Sequence, residues 1–259
     1  MPEPLTRDVG TDLVLRTDQL TRAFRGFVAV NRVSLQIRRG AIHALIGPNG
    51  AGKTTVFNLV TKFLKPTGGR IFFKERDITA LAPTEVARLG MVRSFQISAV
   101  FPNLTALENI RITLQRKRAD GFHFWRSDRV LNEMNVRAKA LLAEVGMEAF
   151  SGQKAGELPY GRRRVLELAT TLALDPEVLL LDEPTSGMGH EDIGRVTALI
   201  RRIAANRTVV MVEHNLSVVA DLCSRITVLV RGEILADGTY EEVSRDPAVV
   251  EAYMGTSGD

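Results

Sequence analysis

Apolar residues recur along this chain in two rhythms. Short clustered or alternating runs at Leu13-Val14-Leu15, 33–37, 41–46 and 70–73 predict strands, with Arg39-Gly40 and Gly68-Gly69 as turns between them. After Gln96 the spacing becomes three and four. Leu107, Ile110 and Leu114, and then Val136, Leu141, Leu142 and Val145, predict helices. A polar, aromatic-bearing loop, Asp120-Gly121-Phe122-His123-Phe124-Trp125, interrupts them. Strand texture returns at 178–181, 208–212 and 226–230, spaced by helical segments, which is the pattern of a mostly parallel sheet. No internal repeat or low-complexity tract breaks the order. The reading is one α/β domain over 11–255, with a helical subdomain at about 97–170 inserted between sheet lobes. Residues 1–10 are expected to form a loose terminus and 256–259 a short tail.

Composition narrows the picture modestly. A 259-residue chain with 45% hydrophobic residues can bury a full core. Aromatics at 6% are too sparse for a stacking-based nucleic-acid binder. The net charge of +4 makes the surface only mildly basic. Arg116-Lys117-Arg118 and Arg162-Arg163-Arg164 read as solvated helix faces. Cys223 is the single cysteine, so an intrachain disulfide is impossible and a buried, inert thiol is expected. His43, inside an apolar strand, reads as a core histidine. No run approaches the ~18 apolar residues of a membrane span. Residues 1–10 lack a signal-peptide core. A chain soluble by itself is expected.

Chemistry concentrates at Gly47-Pro48-Asn49-Gly50-Ala51-Gly52-Lys53-Thr54-Thr55, a full G-x-x-x-x-G-K-[ST] phosphate loop. An apolar strand precedes it and an apolar helix, Val56-Phe57-Asn58-Leu59-Val60, follows. Consecutive backbone N–H groups can then converge on phosphate oxygens at the positive end of the helix. Lys53 would reach the β and γ phosphates, and the Thr54 hydroxyl would serve Mg²⁺. A second motif, Val178-Leu179-Leu180-Leu181-Asp182-Glu183-Pro184, ends an apolar strand in two acids. Asp182 would lie at the carboxyl edge of the sheet and hold Mg²⁺ directly or through water. Glu183 would polarise an attacking water.

The order of phosphate loop, Gln96, Leu158-Pro159-Tyr160-Gly161-Arg162-Arg163-Arg164, Asp182-Glu183 and His214 resembles the nucleotide-binding subunit of ATP-binding-cassette transporters. The match covers residues 12 to 255. The resemblance implies a phosphate-loop NTPase of the cassette type: a mostly parallel sheet core, an antiparallel β lobe and a helical signature subdomain. It also implies ATP and Mg²⁺ as cofactors. Gln96 in Ser94-Phe95-Gln96 matches the glutamine that senses Mg²⁺ and couples to the membrane subunit. His214 matches the switch histidine at the γ-phosphate. Phe24 is the best match to the adenine-stacking aromatic, ahead of Phe27. Gly161 belongs to the signature, which opens a helix toward the nucleotide of the opposite subunit. The chain departs from the family pattern there, because Pro159 replaces a serine and Arg162 a glutamine. After Pro184, Gly189 stands where the family has aspartate.

Finer signals resemble importers of branched-chain and other hydrophobic amino acids. They are Phe24-Arg25-Gly26-Phe27-Val28-Ala29-Val30-Asn31, the Tyr160 form of the signature, Gly187-Met188-Gly189, the insertion near 116–135 and the ending Asp246-Pro247-Ala248-Val249-Val250-Glu251-Ala252-Tyr253-Met254-Gly255. Importers of urea and short amides share them, and a lipopolysaccharide-export ATPase shares the first. A soluble, non-transport cassette is a third class, but it normally carries tandem cassettes or a long coiled coil, and this chain has neither. The implied partners are a second cassette subunit (a paralogue, given Pro159), two membrane permeases and, indirectly, a periplasmic solute-binding protein. Nucleic acid is not among them. The implied location is peripheral, on the cytoplasmic face of the inner membrane.

Overall fold

The computed structural model describes residues 12–94, 100–117 and 128–254. The chain opens with β1 (Leu13–Phe24), β2 (Phe27–Val33) and β3 (Gln36–Arg38). The strand β4 (Ile42–Ile46) then leads through the phosphate loop into α1 (Lys53–Val60). Next come β5 (Gly68–Phe73), β6 (Arg76–Asp77), α2 (Pro83–Arg88) and β7 (Met91–Ser94). Three helices follow: α3 (Ala106–Lys117), α4 (Asp128–Glu144) and α5 (Tyr160–Leu172). The chain returns through β8 (Val178–Asp182), α6 (His190–Ala204), β9 (Thr208–Val212), α7 (Leu216–Leu222), β10 (Arg225–Val230) and β11 (Glu233–Gly238). It closes with α8 (Tyr240–Arg245) and α9 (Pro247–Met254).

Among the described residues these strands make two sheets. One is antiparallel, in the order β2-β1-β5-β6, with β3 also pairing β1. The other runs β11-β10-β4-β9-β8-β7 and is parallel except at β10–β11. The central strands β8 and β9 are buried at every position, as their unbroken apolar runs predict for strands covered on both faces. One apolar cluster joins α1 and the antiparallel sheet to one face of the parallel sheet, through Phe57, Leu45, Leu180 and Val210. The other packs α3–α7 against the opposite face, through Ile110, Leu142, Leu166, Leu179 and Met211.

The expected fold class stands. Two expectations of detail change. Val136 is 69% exposed, so it lies off the apolar face of α4 that Leu141, Leu142 and Val145 bury. Gly68 and Gly69 sit inside β5 rather than before it. Residues 1–10, the 120–125 loop and Gln96, with the nearby boundary at 97, lie outside the described residues.

Candidate functional site

The adjacent strands β4, β9 and β8 end together, and the candidate site residues lie at their carboxyl ends. The phosphate loop leaves β4 with Gly47 at φ 147° and Gly52 at φ 98°, conformations that disfavour a side chain. Close approach makes both positions stricter. A Cβ on Gly47 would lie 2.0 Å from the Leu229 carbonyl oxygen, and one on Gly52 would lie 2.5 Å from that of Ala29. The loop is thereby wedged between β10 and β2. Gly52 caps α1, and the amides of Lys53, Thr54 and Thr55 in its first turn have no partner within the helix. Asn49, Gly50 and Thr54 are exposed while Ala51 is buried, so the loop faces outward from a fixed base.

Lys53 folds back over this loop. Its Nζ donates to the Gly47 carbonyl at 2.6 Å and to the Pro48 carbonyl at 2.9 Å. Burial pushes its ammonium below the ordinary lysine value, and the negative charges of Glu183 and Asp182 oppose that. The two motifs, some 130 residues apart in sequence, therefore converge on one cation.

Asp182 is almost fully buried at the end of β8, in register with Val212 of β9. Its Oδ2 pairs with Arg93 of β7, whose guanidinium also donates to Asn58 of α1. Its Oδ1 is buried and receives no hydrogen bond among the described residues. A buried carboxylate oxygen without a donor suits a divalent cation or a water bound to one. The donor set of Asp182 and an exposed Thr54 fits magnesium. Among the described residues, no group of three His, Cys, Asp or Glu could hold a metal alone, so such an ion would need the phosphates as ligands.

Glu183 has φ 45°, left-handed for a non-glycine residue. Its N–H donates to the Val212 carbonyl at 2.9 Å, and its carbonyl accepts from Ser186 N at 3.1 Å and Arg164 Nη2 at 3.1 Å. Glu213, fully buried, joins the neighbouring loops. Its Oε1 accepts from the backbone and hydroxyl of Thr185, and its Oε2 accepts from His214 N at 2.9 Å and Asn215 N at 3.1 Å. The His214 side chain is left 61% exposed, its Nδ1 3.9 Å from Glu213 Oε2.

Phe24 and Phe27 face each other at the tip of the β1–β2 hairpin, both exposed, with Arg22 stacked 4.5 Å from the Phe24 ring. Neither is core. Gly161 opens α5, close enough to α6 that a Cβ would meet the Asp192 carboxylate at 2.4 Å. A cavity of about 590 Å³ lies between these helices, lined by Val145, Val165, Val196 and Leu199, apart from the phosphate loop. Pro159 is the N-cap of α5 and provides no side-chain acceptor to its first turn.

Three residues here escaped the sequence. Arg93 and Glu213 are charges at the ends of apolar strands, a signal that was available. Arg164 was expected on a solvated face and is instead buried, paired with Glu167 at 2.9 Å. The i, i+3 spacing of Arg164 and Glu167 within an apolar stripe was its sequence mark.

Residues 30–186 match the family described as ABC transporter, and residues 233–259 match the branched-chain amino acid ATP-binding cassette transporter family. The chain is 37% identical to the high-affinity branched-chain amino acid transport ATP-binding protein LivG of Salmonella typhimurium, over 93% of this chain and 98% of that one. Among solved structures, it superposes on an ATP-binding cassette in its ADP conformation with a TM-score of 0.83 at 29% identity, covering 94% of this chain and 99% of the other. A dimeric cassette in a post-hydrolysis state, bound to ADP and Pi, gives 0.74 at 25% identity, with 87% and 98% covered.

Proposed function

The chain belongs to the ABC transporter family, as an ATP-binding, ATP-hydrolysing component of a multi-subunit transporter, and we propose that it powers the import of branched-chain amino acids. Two features support the substrate class. They are the relationship to LivG over nearly the whole chain and the match of residues 233–259 to the branched-chain family. The solute would be selected by membrane permeases and a solute-binding protein rather than by this subunit. No helix among the described residues is long and apolar enough to cross a membrane, which suits a subunit held peripherally by its permeases, on the cytoplasmic face.

In this reading ATP lies on the phosphate loop, with Gly50, Ala51, Gly52, Thr54 and Thr55 offering amides and Lys53 exchanging its carbonyl contacts for phosphate oxygens. Phe24 stacks on the base. Mg²⁺, held by Thr54, Asp182 and Gln96, would neutralise phosphate charge. Glu183 accepts the proton of the attacking water, and His214 donates to the γ-phosphate. Two subunits would pair head-to-tail, so that Gly161 and the start of α5 face the nucleotide on the partner. Pro159 removes an acceptor and donor hydroxyl from that contact, which favours a paralogue with a serine-bearing signature as the partner.

The convergence of Lys53, Asp182 and Glu183 at the carboxyl ends of the parallel strands carries the hydrolytic part of this proposal. Its test has two arms. Lys53→Ala should weaken ATP binding by about tenfold or more, because the loop loses its cation. Glu183→Gln should bind ATP normally while turnover in the assembled transporter falls about 100-fold or more. Unchanged affinity in the first variant removes the phosphate loop from the reading, and normal turnover in the second removes Glu183 as the base.

A further inference from the structure

The four-residue turn Glu183-Pro184-Thr185-Ser186 is gripped from outside the sheet by α5 at two points. Arg164 Nη2 donates to the Glu183 carbonyl at 3.1 Å, and the Tyr160 hydroxyl donates to the Ser186 carbonyl at 3.2 Å. The Ser186 N–H closes the turn onto the same Glu183 carbonyl. From within, the Glu213 carboxylate holds Thr185.

We infer that Arg164 is a positioning residue for Glu183, through which α5 sets the hydrolytic geometry of its own chain's nucleotide site. Three observations support this. The Arg164 side chain is 10% exposed and its other arm is fixed on Glu167 Oε2, so the guanidinium has little freedom of its own and moves with the helix. Glu183 holds a left-handed backbone that a non-glycine residue keeps only when its surroundings enforce it. The Arg164 bond is charge-assisted and lands on the carbonyl of that residue. Losing it frees the peptide plane between Glu183 and Pro184 and lets the carboxylate drift from the attacking water.

The consequence rests on the head-to-tail pairing proposed above. The first turn of α5 would face the nucleotide bound by the partner, while Arg164, one turn further on, grips the glutamate of its own site. A shift of α5 when the partner's nucleotide arrives would therefore reach Glu183 directly, through one rigid side chain. Occupancy of one site would then set the geometry of the other.

The test separates this role from a structural ion pair. Arg164→Gln combined with Glu167→Gln removes both buried charges, so no lone charge is stranded. In the assembled transporter its kcat should fall about 10- to 100-fold, as expected for a misplaced base. The KM for ATP, and the ATP affinity of the full chain, should stay within about twofold, since no phosphate-binding group is touched. Glu167→Gln alone, which keeps the bond to Glu183, should retain kcat within about threefold. Arg164→Lys provides an independent arm should the double variant fold poorly. Its single ammonium keeps Glu167 but cannot also span to Glu183, so kcat again falls while KM holds. Wild-type kcat in the double variant or in Arg164→Lys, or a loss confined to KM, overturns the inference. Glu183→Gln is measured in parallel. If that variant is inactive while the Arg164 variants turn over normally, only the positioning role falls. If it too turns over normally, the proposed base itself is wrong.

Discussion

At the scale of single residues, the nucleotide site depends on positions that tolerate no added atom. Gly47 has both a positive φ and the Leu229 carbonyl oxygen where a methyl group would go. Backbone strain and overpacking coincide there, so Gly47→Ala should cost about 3 kcal/mol or more. We expect a lowered melting temperature and lost binding of a fluorescent ATP analogue. A variant with the parent melting point and affinity would mean that β10 yields easily. Lys53 and Asp182 show the opposite design. Each has its own partners here, the Gly47 and Pro48 carbonyls for one and Arg93 for the other. In the proposed reading both would exchange these partners, Lys53 for phosphate and Asp182 for the metal.

At the scale of elements, the strand that launches the phosphate loop is tied to its neighbours by a polar chain that runs from the buried His43 and Thr227 out to the surface at Asp237 and Arg225. His43 of β4 meets Thr227 Oγ1 of β10 at 2.8 Å, Thr227 donates to Asp237 of β11, and Asp237 pairs with Arg225. Burial lowers the His43 pKa to about 4. The Asp237 charge opposes that shift and the Arg225 charge adds to it. Folded His43 thus stays neutral between pH 6.5 and 4 while the unfolded chain takes up a proton. Its contribution to stability is full above pH 6.5 and is lost as pH falls toward 4, by ~3 kcal/mol at most. Urea unfolding at pH 7 and pH 4.5 should show this loss in the parent and a smaller one in His43→Gln, whose amide can still reach Thr227. Equal losses in the two would remove His43 from the acid response. Burial raises the thiol of Cys223, between α7 and β10, to about 12.

At the scale of the whole molecule, this chain carries a complete phosphate-loop edge and an incomplete signature. Gly161 and the amides of the first turn of α5 are present, while Pro159 caps that turn without a hydroxyl. A homodimer would repeat the deficit at both nucleotides, and a heterodimer would confine it to one. Isolated Glu183→Gln protein with ATP is therefore expected to remain mostly monomeric by light scattering. Adding Pro159→Ser should increase the dimer fraction, each donor to phosphate contributing on the order of 1–3 kcal/mol. A tight homodimer in the parent background would count against the paralogue.

Sequence by itself determined what depends on chain-local chemistry. The phosphate loop, the acid pair at the end of an apolar strand and the strand–helix alternation are each written within ten to thirty consecutive residues, because turn geometry and periodic burial are local requirements. Tertiary structure alone decided the partners. Glu213 is saturated because β8 and β9 end side by side, and Arg93 reaches Asp182 because β7 pairs β8. Arg164 looked solvated within a run of three arginines. It is buried because the third of them falls on the face of α5 turned toward Glu183. Val136 shares the helical spacing of Leu141, Leu142 and Val145, yet those three are buried while Val136, on α4, faces solvent. A side chain's partner across a hundred residues is fixed by which elements the packed core brings together, and hydrophobic periodicity encodes which face is buried without encoding what lies opposite.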